Sequence, residues 1–137
     1  MTSPIAAVLE TALYVDDLDA AERFYGGVLG LEKISRAGNR HVFFRCGHGV
    51  LLIFNPDETE KPAPEGALPV PGHGARGQGH VCFRLKGDDF ASLLDRLQSN
   101  GVATESDFCW PNGARSVYFR DPAGNSLECA EGALWGL

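Results

Sequence analysis

The sequence predicts an α+β fold made of two βαβββ modules. Three observations predict it. The run His41-Val42-Phe43-Phe44-Arg45 returns 75 residues later as Ser116-Val117-Tyr118-Phe119-Arg120, each followed by a Gly-containing turn and a hydrophobic strand. A repeat at fixed spacing means one supersecondary unit used twice. Short stretches alternate with period two, as strands do, and two others carry apolar residues at helical spacing.

In the first module, residues 8–15 alternate, with Leu9, Thr11, Leu13 and Val15 on one side and Glu10, Ala12 and Tyr14 on the other. That is a strand with two unlike faces. Asp16 or Asp17 caps the helix that follows, because a short carboxylate accepts from exposed backbone N–H groups. Leu18, Ala21, Phe24, Tyr25 and Val28 form its apolar stripe and Gly30 ends it. Residues 31–35, 40–46 and 50–54 read as three strands, the last two joined by a turn at Gly47-His48-Gly49. The module spans residues 1–55.

Residues 56–78 hold Pro56, Pro62, Pro64, Pro69 and Pro71 among several glycines, and read as an irregular linker. The run His73-Gly-Ala-Arg-Gly77 within it reads as a flexible lid. The second module, residues 79–131, repeats the plan. Residues 79–85 form a strand. Asp88 or Asp89 starts a helix with the stripe Phe90, Leu93, Leu94 and Leu97, and Asn100-Gly101 stops it. Residues 102–105, 115–120 and 125–130 follow as strands, the last two joined by the turn Asp121-Pro122-Ala123-Gly124-Asn125. The tail, residues 132–137, carries Leu134 and Trp135, expected to dock on the body or on a partner subunit.

Composition bounds the function. A chain of 137 residues with 44% hydrophobic and 22% charged residues is an ordinary soluble globular protein. A net charge of −6 argues against nucleic-acid binding, which needs a basic stripe. No apolar run reaches the roughly 20 residues of a membrane helix. The N-terminus lacks the features of a signal peptide, so a cytoplasmic protein is expected. Cys46, Cys82, Cys109 and Cys129 form no CxxC pair, so reduced, partly buried thiols are expected rather than a structural zinc site.

Three ionisable residues stand in strands: Glu10, His80 at the matching place of the second module, and Glu128 in the last strand. Each lies opposite its aliphatic neighbours, on the face turned away from the helices. One histidine with two carboxylates suits a divalent metal such as Fe, Mn, Ni, Co or Zn. The residues alone leave a second reading open, in which that face is merely solvated. Tyr14, Phe43, Phe54, Phe108, Trp110 and Tyr118 are candidates to line an apolar pocket there. His41, Arg45, Arg76 and Arg115, with His73, are candidate anion contacts.

The chain resembles the vicinal oxygen chelate superfamily, which includes glyoxalase I, extradiol dioxygenases, fosfomycin-resistance proteins and bleomycin-resistance proteins. The resemblance lies in Leu9-Glu-Thr-Ala-Leu-Tyr-Val-Asp-Asp-Leu18, Phe24-Tyr25, Val28-Leu-Gly-Leu31, Gly79-His-Val-Cys-Phe83 and Tyr118-Phe-Arg-Asp-Pro-Ala-Gly-Asn-Ser-Leu-Glu128. It implies a curved, partly closed mixed sheet with helices outside, cupping a metal held by Glu10, His80 and Glu128. Glu10 stands where a His is more common, and Leu52 where glyoxalase I has a Glu. The resemblance implies a metal-dependent lyase or dioxygenase, acting on a small molecule that chelates the metal through adjacent oxygens. Glu10 or Glu128 would double as the catalytic base. The alternative it implies is a non-catalytic drug-binding protein of the bleomycin-resistance type. A homodimer is expected, because small open sheets leave edges and a face to cover.

Overall fold

A computed structural model describes residues 2–137. Eight strands form two four-stranded mixed sheets. The first contains β1 (Glu10–Tyr14), β2 (Glu32–Ala37), β3 (His41–Cys46) and β4 (Gly49–Phe54) in the order β1-β4-β3-β2. The second contains β5 (His80–Arg84), β6 (Ser106–Cys109), β7 (Arg115–Arg120) and β8 (Ser126–Ala130) in the order β5-β8-β7-β6. In each sheet the first and last strands pair in parallel and the other pairs are antiparallel. The duplicated plan is therefore matched strand for strand. The sheets do not close into a barrel, and the helices lie outside them.

The core shows why. Alternation turns Leu13, Val42, Phe44, Leu51 and Ile53 of the first sheet, and Val117, Phe119, Leu127 and Cys129 of the second, into one buried cluster. The helices α1 (Leu18–Glu22) and α3 (Phe90–Ser99) cover it with Leu18, Ala21, Phe90, Leu93 and Leu97. Both sheets thus share one apolar layer, and their opposite faces remain open. Asp17 caps α1 by accepting from the Ala20 N–H at 3.0 Å. After Glu22 the helix widens into a π-helical stretch, Arg23–Val28. This sets the neighbouring rings Phe24 and Tyr25 both into the core. Gly30, with φ of +75°, ends the segment.

The two units are latched by a buried polar knot. The Tyr25 hydroxyl donates to Asp121 Oδ2 at 2.7 Å, and Asn125 Nδ2 donates to Asp121 Oδ2 at 2.9 Å and to the Tyr14 carbonyl at 3.1 Å. The Gly79 N–H donates to Asn125 Oδ1 at 2.7 Å. The turn between β7 and β8 thus grips both the first helix and the first strand.

Several expected elements move. The 56–78 linker is not wholly irregular: Pro56–Thr59 is a short helix, α2, capped by Asn55, whose side chain accepts from the Asp57 N–H at 3.1 Å. Proline breaks a helix interior, but at the first helical position it starts one. The strand expected at 102–105 lies at Ser106–Cys109. Every residue of this edge strand is exposed, so no buried alternation marks it. Leu9 falls outside β1 and is exposed, and Trp135 is 79% exposed rather than docked on the body. Among the described residues no helix is long and apolar enough to cross a membrane.

Candidate functional site

The open face of the second sheet brings His80 and Glu128 together. Glu128 follows Leu127 and precedes Cys129, which both point into the core, so its own side chain points out of it. It is nevertheless only 5% exposed, because its neighbours cover it. Oε2 accepts from the Ser116 hydroxyl at 2.6 Å, and Ser116 Oγ accepts from the Trp110 indole N–H at 2.7 Å. Oε1 stands 3.4 Å from His80 Nε2. On the other side of the imidazole, Nδ1 lies 2.9 Å from the Ser126 carbonyl. A carbonyl only accepts, so Nδ1 carries the hydrogen. Nε2 then meets the carboxylate either with a second proton, as an ion pair, or with its lone pair. In the second case two electron-rich donors face one another at 3.4 Å, a pair that could hold a cation.

Aromatic rings brace the pair. Tyr118 stacks on His80 at 6.3 Å between centroids, Phe108 on Tyr118 at 5.9 Å, and Trp110 meets Phe108 edge-on at 4.9 Å. Rings and hydrogen bonds together make a closed circuit around Glu128. Cys82, paired in register with Glu128, completes the surround. Its thiol is pushed up to about 12, by burial first and then by the Glu128 charge. Little thiolate exists at such a value. Exposed as it is, Cys82 is therefore expected to react with iodoacetamide more slowly than a free thiol, and Glu128→Gln to raise its labelling rate. Peptide mapping of timed alkylation checks this; rapid labelling of Cys82 in the unaltered protein contradicts it.

The open face of the first sheet is different. Glu10 lines a cavity of about 650 Å³ with Ala12, Arg40, His41, Phe43, Leu52, Phe54 and the strap Val70-Pro71-Gly72-His73. The strap is closely seated. The His73 N–H donates to the Thr59 carbonyl at 2.9 Å, and a Cβ on Gly72 would come within 3.0 Å of the Glu60 carbonyl. Tyr14 holds it from the sheet, its hydroxyl 2.7 Å from His73 Nδ1. Arg40 donates to His41 Nδ1 at 2.7 Å. Burial, and then the Arg40 charge, lower the His41 pKa below its ordinary value.

The expected site residues therefore fall into three groups. His80, Glu128, Trp110 and Tyr118 converge on the second sheet. Glu10, Tyr14, His41 and Phe54 gather on the first. The remaining arginines serve elsewhere. Arg76 is paired with Asp57 at 2.8 Å and Glu60 at 2.9 Å, anchoring the linker to α2. Arg115 forks onto Asp107 at 2.9 and 2.7 Å and lies over the Phe90 ring at 4.8 Å. Arg45 is exposed and lines neither that cavity nor the His80 pair. Among the described residues, no three His, Cys, Asp or Glu side chains of one chain are grouped to hold a metal ion. The sheets meet through β1 and β5, which leaves Glu10 on the other sheet from His80 and Glu128. Sequence reasoning passed over Ser116 and Arg40. The signal for Ser116 was its place two residues before Tyr118, which puts both on one face of β7.

Comparison with known proteins agrees with the duplicated plan. Residues 7–129 match the model of the Glyoxalase/Bleomycin resistance protein/Dioxygenase superfamily. The crystal structure of lactoylglutathione lyase from Agrobacterium tumefaciens is 46% identical, with a TM-score of 0.91, covering 98% of this chain and 100% of that one. A glyoxalase/bleomycin resistance protein/dioxygenase from Nocardioides shares the fold at 22% identity and a TM-score of 0.71, covering 95% and 85% of the two chains. The fosfomycin resistance protein FosX from Listeria monocytogenes does so at 19% identity and a TM-score of 0.68, covering 93% and 92%. The family model spans nearly the whole duplicated βαβββ plan, and this chain belongs to the glyoxalase/bleomycin resistance protein/dioxygenase superfamily.

Proposed function

We propose that this protein is a metal-dependent enzyme of the glyoxalase type, a lyase acting on a small molecule that presents two adjacent oxygens. The single observation that carries the reading is the pose of His80: its Nδ1 is committed to the Ser126 carbonyl, while Nε2 faces Glu128 Oε1 at 3.4 Å. Imidazole and carboxylate oxygen are suitable donors for a divalent first-row metal. The Trp110–Ser116 chain orients the carboxylate from behind, as outer-shell partners do around metal ligands. The lyase reading draws further support from the 46% identity to the Agrobacterium lactoylglutathione lyase.

His80 and Glu128 would hold the metal from one chain, and Glu10 from a second copy. Glu10 and His80 occupy equivalent places, opposite Val50 and Ser126 in their sheets. A two-fold pairing that lays the first sheet of one copy over the second sheet of the other completes two sites at once, which is the closed symmetry of a homodimer. When bound, the metal would act as a Lewis acid on the substrate's adjacent oxygens. The chain's own residues do the rest. Ser116 keeps Glu128 Oε2 occupied, which fixes the direction of Oε1. Glu10, without an ion-pair partner among the described residues, would take and return the proton on the carbon beside those oxygens with whichever carboxylate oxygen is not holding the metal. Tyr14, His41 and Phe54 contact the rest of the substrate.

Protein purified without chelator is expected to carry about one divalent metal per subunit. His80→Ala and Glu128→Gln should each lose it, and sedimentation should show a dimer. Failure of every divalent metal to bind, under any loading, defeats the proposal. That outcome, with small-molecule binding intact, supports instead a non-catalytic binding protein, the reading favoured by Leu52 in the place that Glu128 holds in the second unit.

A further inference from the structure

The two open faces are duplicates that have diverged in opposite directions. In the second sheet the register sets Cys82 and Tyr118 on either side of Glu128, and Ser116 opposite Ala130. In the first sheet the same places hold Ala12 and Phe43 on either side of Leu52, and His41 opposite Phe54. The carboxylate has become an aliphatic floor, its hydroxyl partner an imidazole, and an alanine a phenyl ring. One face is polar and hydrogen-bonded; the other is a cup of rings.

The rings in the cup are already set. His41 stacks on Phe43 at 3.9 Å with planes 5° apart, and Phe54 meets Phe43 edge-on at 5.5 Å and His73 at 4.6 Å. The imidazole Nδ1 atoms are occupied inside the protein, by Arg40 and by the Tyr14 hydroxyl. Besides the Glu10 carboxylate, what the cup offers a ligand is therefore mostly ring surface and aliphatic floor. A bare organic cation fits poorly, because the Arg40 guanidinium already lies over the Phe54 ring at 5.6 Å. An extended peptide fits poorly too, since the strap at residues 70–73 walls one side. The cavity of about 650 Å³ is sized for a small organic molecule.

We propose that the cup of the first sheet is the receptor for a planar aromatic group on the substrate, so that the enzyme acts on an aryl-bearing compound whose paired oxygens are handled by the His80–Glu128 face. This rests on the function proposed above for the polar head, but the cup is argued from its own residues. Flat rings pack edge-on or offset against other rings, with a gain beyond that of their buried area.

Calorimetric titration of the intact protein with pyruvate and with phenylpyruvate separates the two faces, because both probes share a 2-oxo acid head and differ by one ring. Phenylpyruvate is expected to bind on the order of 10- to 100-fold more tightly, the worth of burying one phenyl group. Leu52→Trp, which fills the cup from its floor, and Phe54→Ala should bring phenylpyruvate to the affinity of pyruvate. Their unfolding midpoints verify that both variants are folded. His80→Ala should weaken both probes alike and preserve the difference between them. Equal affinities in the unaltered protein, no binding of either probe, or a preference that survives in both folded cup variants overturns the proposal. A ring preference that persists while His80→Ala leaves both affinities unchanged keeps the cup and removes the reading of the polar head instead.

Discussion

Asp121→Ala is expected to lower the thermal midpoint by roughly 10–15 °C, the largest loss of stability from any single side chain at the seam. The carboxylate is 4% exposed and accepts four hydrogen bonds: from the Tyr25 hydroxyl, the Asn125 amide, and the Ala123 and Asn125 N–H groups. Removing it strands a buried phenol and a buried amide at once, at about 1–3 kcal/mol for each unsatisfied group. A total of about 3–5 kcal/mol follows, and at this chain length each kcal/mol moves the midpoint by about 3 °C. Tyr25→Phe removes one donor and leaves the turn intact, so a smaller loss of about 1–2 kcal/mol is expected. The Tyr25 hydroxyl is held protonated far above its ordinary range, by burial first and then by the Asp121 charge. Both causes favour the protonated phenol, the form that donates to Asp121. Urea and thermal denaturation of the two variants measure the difference; an Asp121→Ala protein within about 3 °C of the parent would show that the knot is not what joins the units.

Ser116→Ala is expected to weaken divalent-cation binding by about 10- to 100-fold while leaving every proposed donor atom in place. Ser116 touches no proposed substrate. It holds Glu128 Oε2 at 2.6 Å and is itself held by Trp110 at 2.7 Å. Without the hydroxyl, Glu128 can turn, and Oε1 loses its fixed aim at His80. Ser116→Thr should recover most of the affinity, since it restores the hydroxyl. Trp110→Phe should fall between the two, because a free serine hydroxyl still bonds the carboxylate but samples more orientations. Competition between the protein and a chromogenic chelator for cobalt gives the affinities directly. An unchanged cobalt affinity in Ser116→Ala would remove the circuit from the site's function.

The fold was largely legible because its signals are local. Period-two alternation around Leu13, Phe44, Val117 and Leu127 assigns each residue a face without knowledge of its neighbours, and the repeat supplies the order of strands. The misses have local causes too. β6 is an exposed edge, so no buried face imposes a pattern on Ser106–Cys109. α2 begins at a proline whose meaning depends on position, and its Asn55 cap looks like loop sequence.

The sequence by itself determined the duplicated architecture and the faces on which Glu10, His80 and Glu128 stand, because strand alternation follows from covalent geometry. Tertiary structure alone decided which of those residues meet. His80 and Glu128 lie on parallel neighbouring strands and converge. Glu10 lies across the β1–β5 seam, on a sheet that shares the same core and so turns its open face out beside the other rather than toward it. Tertiary structure also chose among chemically similar arginines, giving Arg76 and Arg115 carboxylates of their own. A face is fixed by the pitch of a strand, whereas a partner is fixed by where distant strands are packed, and no stretch of sequence carries that information alone.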